Sequence, residues 1–149
     1  MPAPDRDAGP TNGGSREANP IVAAIVTSRF GVLVARRNDG KPPWTFIEGE
    51  IEPGEDPADT AVREVREETG LRIRTTGVIG RRVHPRTGRE MIYLAAWPTH
   101  GTKAFVGDEQ ELAEVRWVDL AQADDLMDGM IFEPVRSYLE RTLKAHDSK

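Results

Sequence analysis

Cysteine is absent from the 149 residues of this chain. That excludes disulfide bridges, thiol chemistry and cysteine-ligated zinc. Long apolar runs are missing as well. No stretch approaches the roughly 18 residues that a membrane span requires, and positions 1–20 lack the apolar core of a signal peptide. A basic balance is also lacking: the formal net charge is −5, which argues against non-specific binding of nucleic acid. The chain therefore reads as cytoplasmic, with no membrane partner and no stable nucleic-acid partner.

What is present fits one domain with a real core: 38% hydrophobic and 30% charged residues over this length. Positions 1–20 hold Pro2, Pro4, Pro10, Pro20, Gly9, Gly13 and Gly14 with almost nothing apolar, so a flexible tail is expected there. The domain is expected over 21–146. IVAAIVT from Ile21 and FGVLVARR from Phe30 read as two strands, followed by a polar loop from Asn38 to Pro43. Further strands are expected over 72–82, 91–97 and 113–118. Helices are expected over 58–69, 121–127 and 132–144, the last with Val135, Leu139 and Leu143 toward the core. Met91 to Trp97 is largely apolar on both sides, as suits a central strand.

The most informative segment is GEIEPGEDPADTAVREVREETGL, from Gly49 to Leu71. Glu48, Glu50, Glu52, Glu55, Asp56, Asp59, Glu64, Glu67 and Glu68 crowd it, against only Arg63 and Arg66. Such a cluster repels itself unless a cation neutralises it. Asp59 or Asp56 can cap the helix, and Gly70 can end it. At helical spacing Ala58, Ala61, Val62 and Val65 make an apolar stripe, while Glu64, Glu67 and Glu68 share a neighbouring face. Oxygen-rich sites of this kind suit Mg²⁺, with Mn²⁺ as a substitute, and metal of this kind points to phosphate chemistry.

Gly49, then Glu55 after five residues, then Arg63-Glu64-Val65-Arg66-Glu67-Glu68-Thr69-Gly70-Leu71 after seven more, matches the Nudix box at every defined position. The chain thus resembles the Nudix hydrolases, MutT-like members among them. The resemblance implies an α/β fold, an α/β/α sandwich with a mixed sheet. It implies that Glu67 and Glu68 are the principal metal ligands and Glu64 a further ligand or a base. The carbonyl of Glu48 would add a ligand, Gly49 would permit a turn and close backbone approach, and Glu55 with Arg63 would brace the loop and helix. Many relatives carry an acidic general base in the loop before the last strand. Glu109, Glu111 and Glu114 are available there, and Glu111 is favoured. One departure stands out: where many relatives have Trp-x-x-Pro-Gly-Gly, this chain has Trp44-Thr45-Phe46-Ile47-Glu48-Gly49.

Substrate choice is less sharply written. Arg81, Arg82 and Arg86 can offset phosphate charge, and Tyr93 and Trp97 can stack on a base; each also fits an ordinary surface or core role. His84 has no histidine or cysteine at ligand spacing. The resemblance implies hydrolysis of a nucleoside triphosphate to the monophosphate and pyrophosphate, as in nucleotide-pool sanitising. Two alternatives stay open: hydrolysis of ADP-ribose or another nucleoside diphosphate linked to a second moiety, with Pro85 as a thin hint, and a nucleotide-sensing module without turnover. An acidic interaction surface is a further, weaker reading. A homodimer is left open.

Overall fold

The computed structural model describes residues 18–41 and 43–147. Of the tail expected over 1–20, positions 1–17 lie outside the described residues. β1 (Ile21–Ser28) and β2 (Gly31–Arg37) form a hairpin of β-branched and small apolar residues, and every residue of β1 after Ile21 is buried. Burial on both faces is what an unbroken IVAAIVTS run requires of a strand, and β1 is accordingly the centre of the sheet.

On one edge of β1, β6 (Glu90–Pro98) runs parallel, in register from Ile21 opposite Met91 to Val26 opposite Ala96. β5 (Ile73–Val83) pairs antiparallel outside it. The other edge is shared. β4 (Ile47–Glu50) pairs antiparallel with Ile21 to Ala24, and β2 pairs with Thr27 and Ser28. β2 in turn carries β7 (Leu112–Val118) and the two-residue β3 (Trp44–Thr45). The sheet is therefore mixed.

Strand parity divides the core in two. Val22, Ala24, Ile47, Ile92 and Leu94 pack with Ala61 and Val65 of α1 (Pro57–Thr69). Ala23, Ile25, Val34 and Tyr93 pack on the opposite face with Ala123 of α2 (Leu120–Leu126) and with Val135 and Leu139 of α3 (Glu133–Asp147). The result is the α/β/α sandwich. Each layer depends on this burial; truncating a fully buried leucine such as Leu139 to alanine should cost roughly 2–5 kcal/mol. Among the described residues no helix is long and apolar enough to cross a membrane.

Two local expectations are corrected. Positions 47–50, where no strand was expected, are a strand. In α1 the buried line runs through Thr60, Ala61, Val65, Glu68 and Thr69, while Val62 is exposed. The helix is rolled so that Glu68 is buried beside Val65 while Val62 is turned outward.

Candidate active site

α1 begins and ends where local chemistry dictates. Asp56 is extended and accepts the Ala58 amide at 3.0 Å, with Pro57 at the first helical position. Gly70 closes the helix in the left-handed region, φ 78°, and its N–H donates to the Arg66 carbonyl. Between these caps the acidic residues are organised by one cation. Arg63 makes a forked pair with Glu55 and also reaches Glu64 and Glu67. The Arg63 fork, followed by the Glu52 amide and the Thr60 hydroxyl, holds the Glu55 carboxyl down to about 2.

Glu64 passes under β4. A Cβ at position 49 would lie 2.1 Å from the Glu64 Cγ, so Gly49 is there for close approach. It serves no tight turn: its residue lies in β4, and it is absent from the positive-φ glycines. Glu48, in place of the usual glycine, also lies in this strand without a left-handed φ, so the substitution brings no backbone strain.

Glu68 is the buried member of the cluster, 6% exposed. Burial, then a carboxyl–carboxyl hydrogen bond with Glu64, then the charges of Glu64, Glu111 and Asp108 push its carboxyl up to about 9. Glu111 and Asp108 reach it from the loop over 99–111, which docks on the end of α1: Gly107 donates to the Glu68 carbonyl at 2.8 Å and Phe105 to the Thr69 carbonyl at 3.0 Å. The expected loop carboxylate Glu111 is thus in electrostatic range of the helix cluster. Asp108, missed in the sequence, stands there too; its signal was a Gly-Asp pair in an otherwise irregular loop. Glu114 is instead engaged with Arg36 and Arg116 at the surface. Glu109 offers its main-chain carbonyl to the Asn38 side chain.

Among the described residues, no three histidine, aspartate or glutamate side chains already enclose a common point. Glu67 is drawn toward Arg63 instead, at 3.5 Å. The donor set fits a hard cation: its side chains offer oxygen only, and the buried Glu68 carboxyl feels the charges of Glu64, Glu111 and Asp108.

The remaining sequence-marked residues separate by face. Glu48 is in register with Ala23 and so points its side chain to the α2/α3 side, whereas Gly49, opposite Val22, faces α1. The Glu48 carboxylate is therefore on the wrong side of the sheet to join Glu64, and only its carbonyl is left for the expected ligand role. Burial raises this carboxyl, against the opposing pull of the Thr45 hydroxyl and the charges of Arg37 and Arg82. Tyr93 is buried on the same face, its ring 4.9 Å from Phe132 between centroids. Arg82 donates to the Tyr93 hydroxyl at 3.1 Å and lies 4.5 Å over the Phe132 ring. Arg81 alternates to the α1 side, level with Ile92, Val22 and Gly49 across three strand spacings, roughly 14 Å. Arg86 lies exposed in the turn after β5, its amide on His84 Nδ1. Trp97 is exposed near the far end of β6, five residues beyond Ile92 and so roughly 17 Å along the strand; it is the sequence-marked residue least associated with the carboxylates.

A family model for the NUDIX domain matches residues 18–138. The chain belongs to that family. Among curated relatives, it is 39% identical over 101 residues to mouse "Nucleoside diphosphate-linked moiety X motif 6", covering 64% of this chain and 32% of that protein. It is 34% identical over 88 residues to "CTP pyrophosphohydrolase" of Escherichia coli K12, covering 55% of this chain and 64% of that one. The chain thus spans between about a third and two thirds of the length of these relatives. Among solved structures, a NUDIX hydrolase from Nitrosomonas europaea superposes with a TM-score of 0.67 at 24% identity, over 82% of this chain and 71% of that one. That likeness establishes the NUDIX fold.

Proposed function

We propose that this protein is a Mg²⁺-dependent phosphoanhydride hydrolase that cleaves a nucleoside triphosphate to the monophosphate and pyrophosphate. The observation that carries the reading is the convergence on Glu68: a buried carboxyl hydrogen-bonded to Glu64 with Glu111 and Asp108 beside it. A buried carboxyl that feels the charges of three other acidic groups is costly on its own, and a divalent cation would relieve that repulsion.

Glu67, Glu68 and Glu64 would hold Mg²⁺, or Mn²⁺ in its place, with the Glu48 carbonyl adjacent. When bound, the ion neutralises phosphate oxygens and lowers the pKa of water. The chain's own residues do the rest. Arg63 and Glu55 fix the loop and the helix against each other. Glu111, on the docked loop, accepts the proton of the attacking water. Arg81, from the α1 side of the sheet, offsets the charge of the triphosphate, with Arg86 at the neighbouring turn. Arg82, Tyr93 and Phe132 pack together on the other face of the sheet, with Tyr93 buried, and so stand away from a substrate held on the α1 side.

The similarity to a CTP pyrophosphohydrolase supports a triphosphate. A second reading, a nucleoside diphosphate linked to another moiety, is favoured by the name of the mouse relative. Incubation with Mg²⁺ and triphosphates, ADP-ribose, nucleotide sugars and dinucleoside polyphosphates, with products resolved by chromatography, separates the two. Pyrophosphate release, lost in Glu67→Gln, supports the first; release of two monophosphates from a linked diphosphate replaces it with the second. No product from any of them would return the protein to a sensing role.

A further inference from the structure

The loop between β6 and β7 runs from 99 to 111 without a helix or strand of its own. Loops of this length are uncommon in compact domains and are usually functional. This one is tied on three sides. The Trp117 indole donates to the Thr102 carbonyl at 2.8 Å. Asn38, in the turn after β2, donates its side chain to the Glu109 carbonyl at 2.7 Å and its amide to the Glu111 carbonyl at 2.9 Å. The third tie is on α1 itself, where Phe105 and Gly107 donate to the carbonyls of Thr69 and Glu68. The last carbonyls of a helix have no partner within it, so the loop completes the helix end.

That docking depends on two glycines. A Cβ at position 107 would lie 2.4 Å from the Glu67 carbonyl oxygen, and a Cβ at position 70 would lie 2.3 Å from the Phe105 ring. Gly107 is exposed, so core packing does not explain its missing side chain. Immediately after it the chain turns tightly. The Asp108 carbonyl accepts the amides of Glu111 and Leu112, and its carboxylate accepts the Gln110 amide. The seat of Gly107 on α1 therefore acts, together with the Asn38 bonds to Glu109 and Glu111, on where Glu111 stands.

We propose that Gly107 is a positioning residue, whose close seat on the last turn of α1 holds the loop carboxylate Glu111 over the metal-ligating face of the helix. The proposal rests on the hydrolytic reading above and goes beyond it by assigning how the base is placed.

The test is a double-mutant cycle on the full chain with Mg²⁺ and the triphosphate that the wild type turns over. Gly107→Ala should lower kcat about 10- to 100-fold, as expected when a reacting group is misplaced by about an ångström, with KM changed by less than about threefold. Glu111→Gln should lower kcat on its own. Adding Gly107→Ala to it should then cost little more, because two residues acting through one group are not additive. Equal losses in both backgrounds, a change in KM alone, or a lowered melting temperature with unchanged kcat would overturn the proposal. If Gly107→Ala does not fold, Phe105→Ala, which introduces no clash, enters the same cycle with the same expectations. Amide exchange on the substrate-free wild type is read independently of turnover. Slow exchange at Gly107 supports the docking, and exchange at the rate of a free loop sinks it. A wild type that hydrolyses nothing counts against the hydrolytic reading and leaves the exchange result to decide the docking.

Discussion

Arg63 grips Glu55 through two parallel contacts, Nε to Oε2 at 3.0 Å and Nη2 to Oε1 at 3.1 Å. Its remaining Nη1 reaches Glu64 at 3.2 Å and Glu67 at 3.5 Å. One guanidinium therefore ties the acidic loop to two of the carboxylates proposed for chemistry. Lysine cannot reproduce this fork, so Arg63→Lys should reduce kcat by about 10- to 100-fold while the protein stays folded. Steady-state rates at saturating Mg²⁺ check this; an unchanged kcat would show the brace to be dispensable. Because Arg63 holds the Glu55 carboxyl down to about 2, the pair's contribution to stability is present above the ordinary value of 4.5. It is lost as pH falls through the range between the two.

Gly49 and Glu64 make a second coupled pair. An alanine at 49 would put its Cβ 2.1 Å from the Glu64 Cγ, an approach that forces the glutamate aside. The backbone conformation is acceptable to alanine, so the cost should fall on the site before the fold. We expect Gly49→Ala to lose about 100-fold or more in kcat with a melting temperature close to wild type. A variant of full activity would show that Glu64 is free to move without consequence.

The acidic loop, the helix and its caps were legible because their signals are local: Asp56 and Pro57 start α1 and Gly70 ends it, each within a turn of the backbone groups it satisfies. The side of the sheet on which Glu48 falls was not. It depends on reading Ile47 to Glu50 as a strand paired with β1, a long-range contact that four residues in an acidic run do not announce. Val62 misled for a related reason. Its helical position suited an apolar stripe, but the face of α1 that packs on the sheet is the one through Ala61 and Val65, which also buries Thr60, Glu68 and Thr69. Asp108 joined the cluster only through that docking, which comes from a glycine amide meeting a helix carbonyl across some forty positions of sequence.

The side-chain direction of Glu48 gives a prediction that opposes a naive reading of the acidic run. Its carboxylate lies on the α2/α3 face, with Thr45, Arg37 and Arg82 as its electrostatic neighbours. Glu48→Ala should leave the Mg²⁺ concentration for half-maximal activity within about twofold, since its side chain leaves the sheet on the face opposite the proposed ligands. Glu67→Gln or Glu68→Gln should raise it well beyond that. A Glu48→Ala variant as impaired in Mg²⁺ response as Glu68→Gln would place the Glu48 side chain among the ligands.

Glu68 links metal and pH. Its carboxyl is pushed up to about 9 in the metal-free fold, from an ordinary 4.5, first by burial and then by its hydrogen bond with Glu64. Below pH 4.5 the folded and unfolded chains both carry this proton. Between 4.5 and about 9 only the folded chain does, so deprotonation of the unfolded state draws the equilibrium away from the fold and stability declines as pH rises. Metal-free protein should therefore melt at a lower temperature at pH 8.5 than at pH 6. Glu68→Gln, which keeps the shape and removes the charge, should flatten that slope and raise the melting temperature at the alkaline end. Addition of Mg²⁺ to the wild type at pH 8.5 should restore stability with release of a proton, because the cation takes the place of the proton between Glu68 and Glu64. Thermal melts at both pH values, with chelator and with Mg²⁺, read all three effects. A wild type whose stability is flat over this range and indifferent to Mg²⁺ would mean that Glu68 is ionised and satisfied without a cation, and the metal assignment would fall with it.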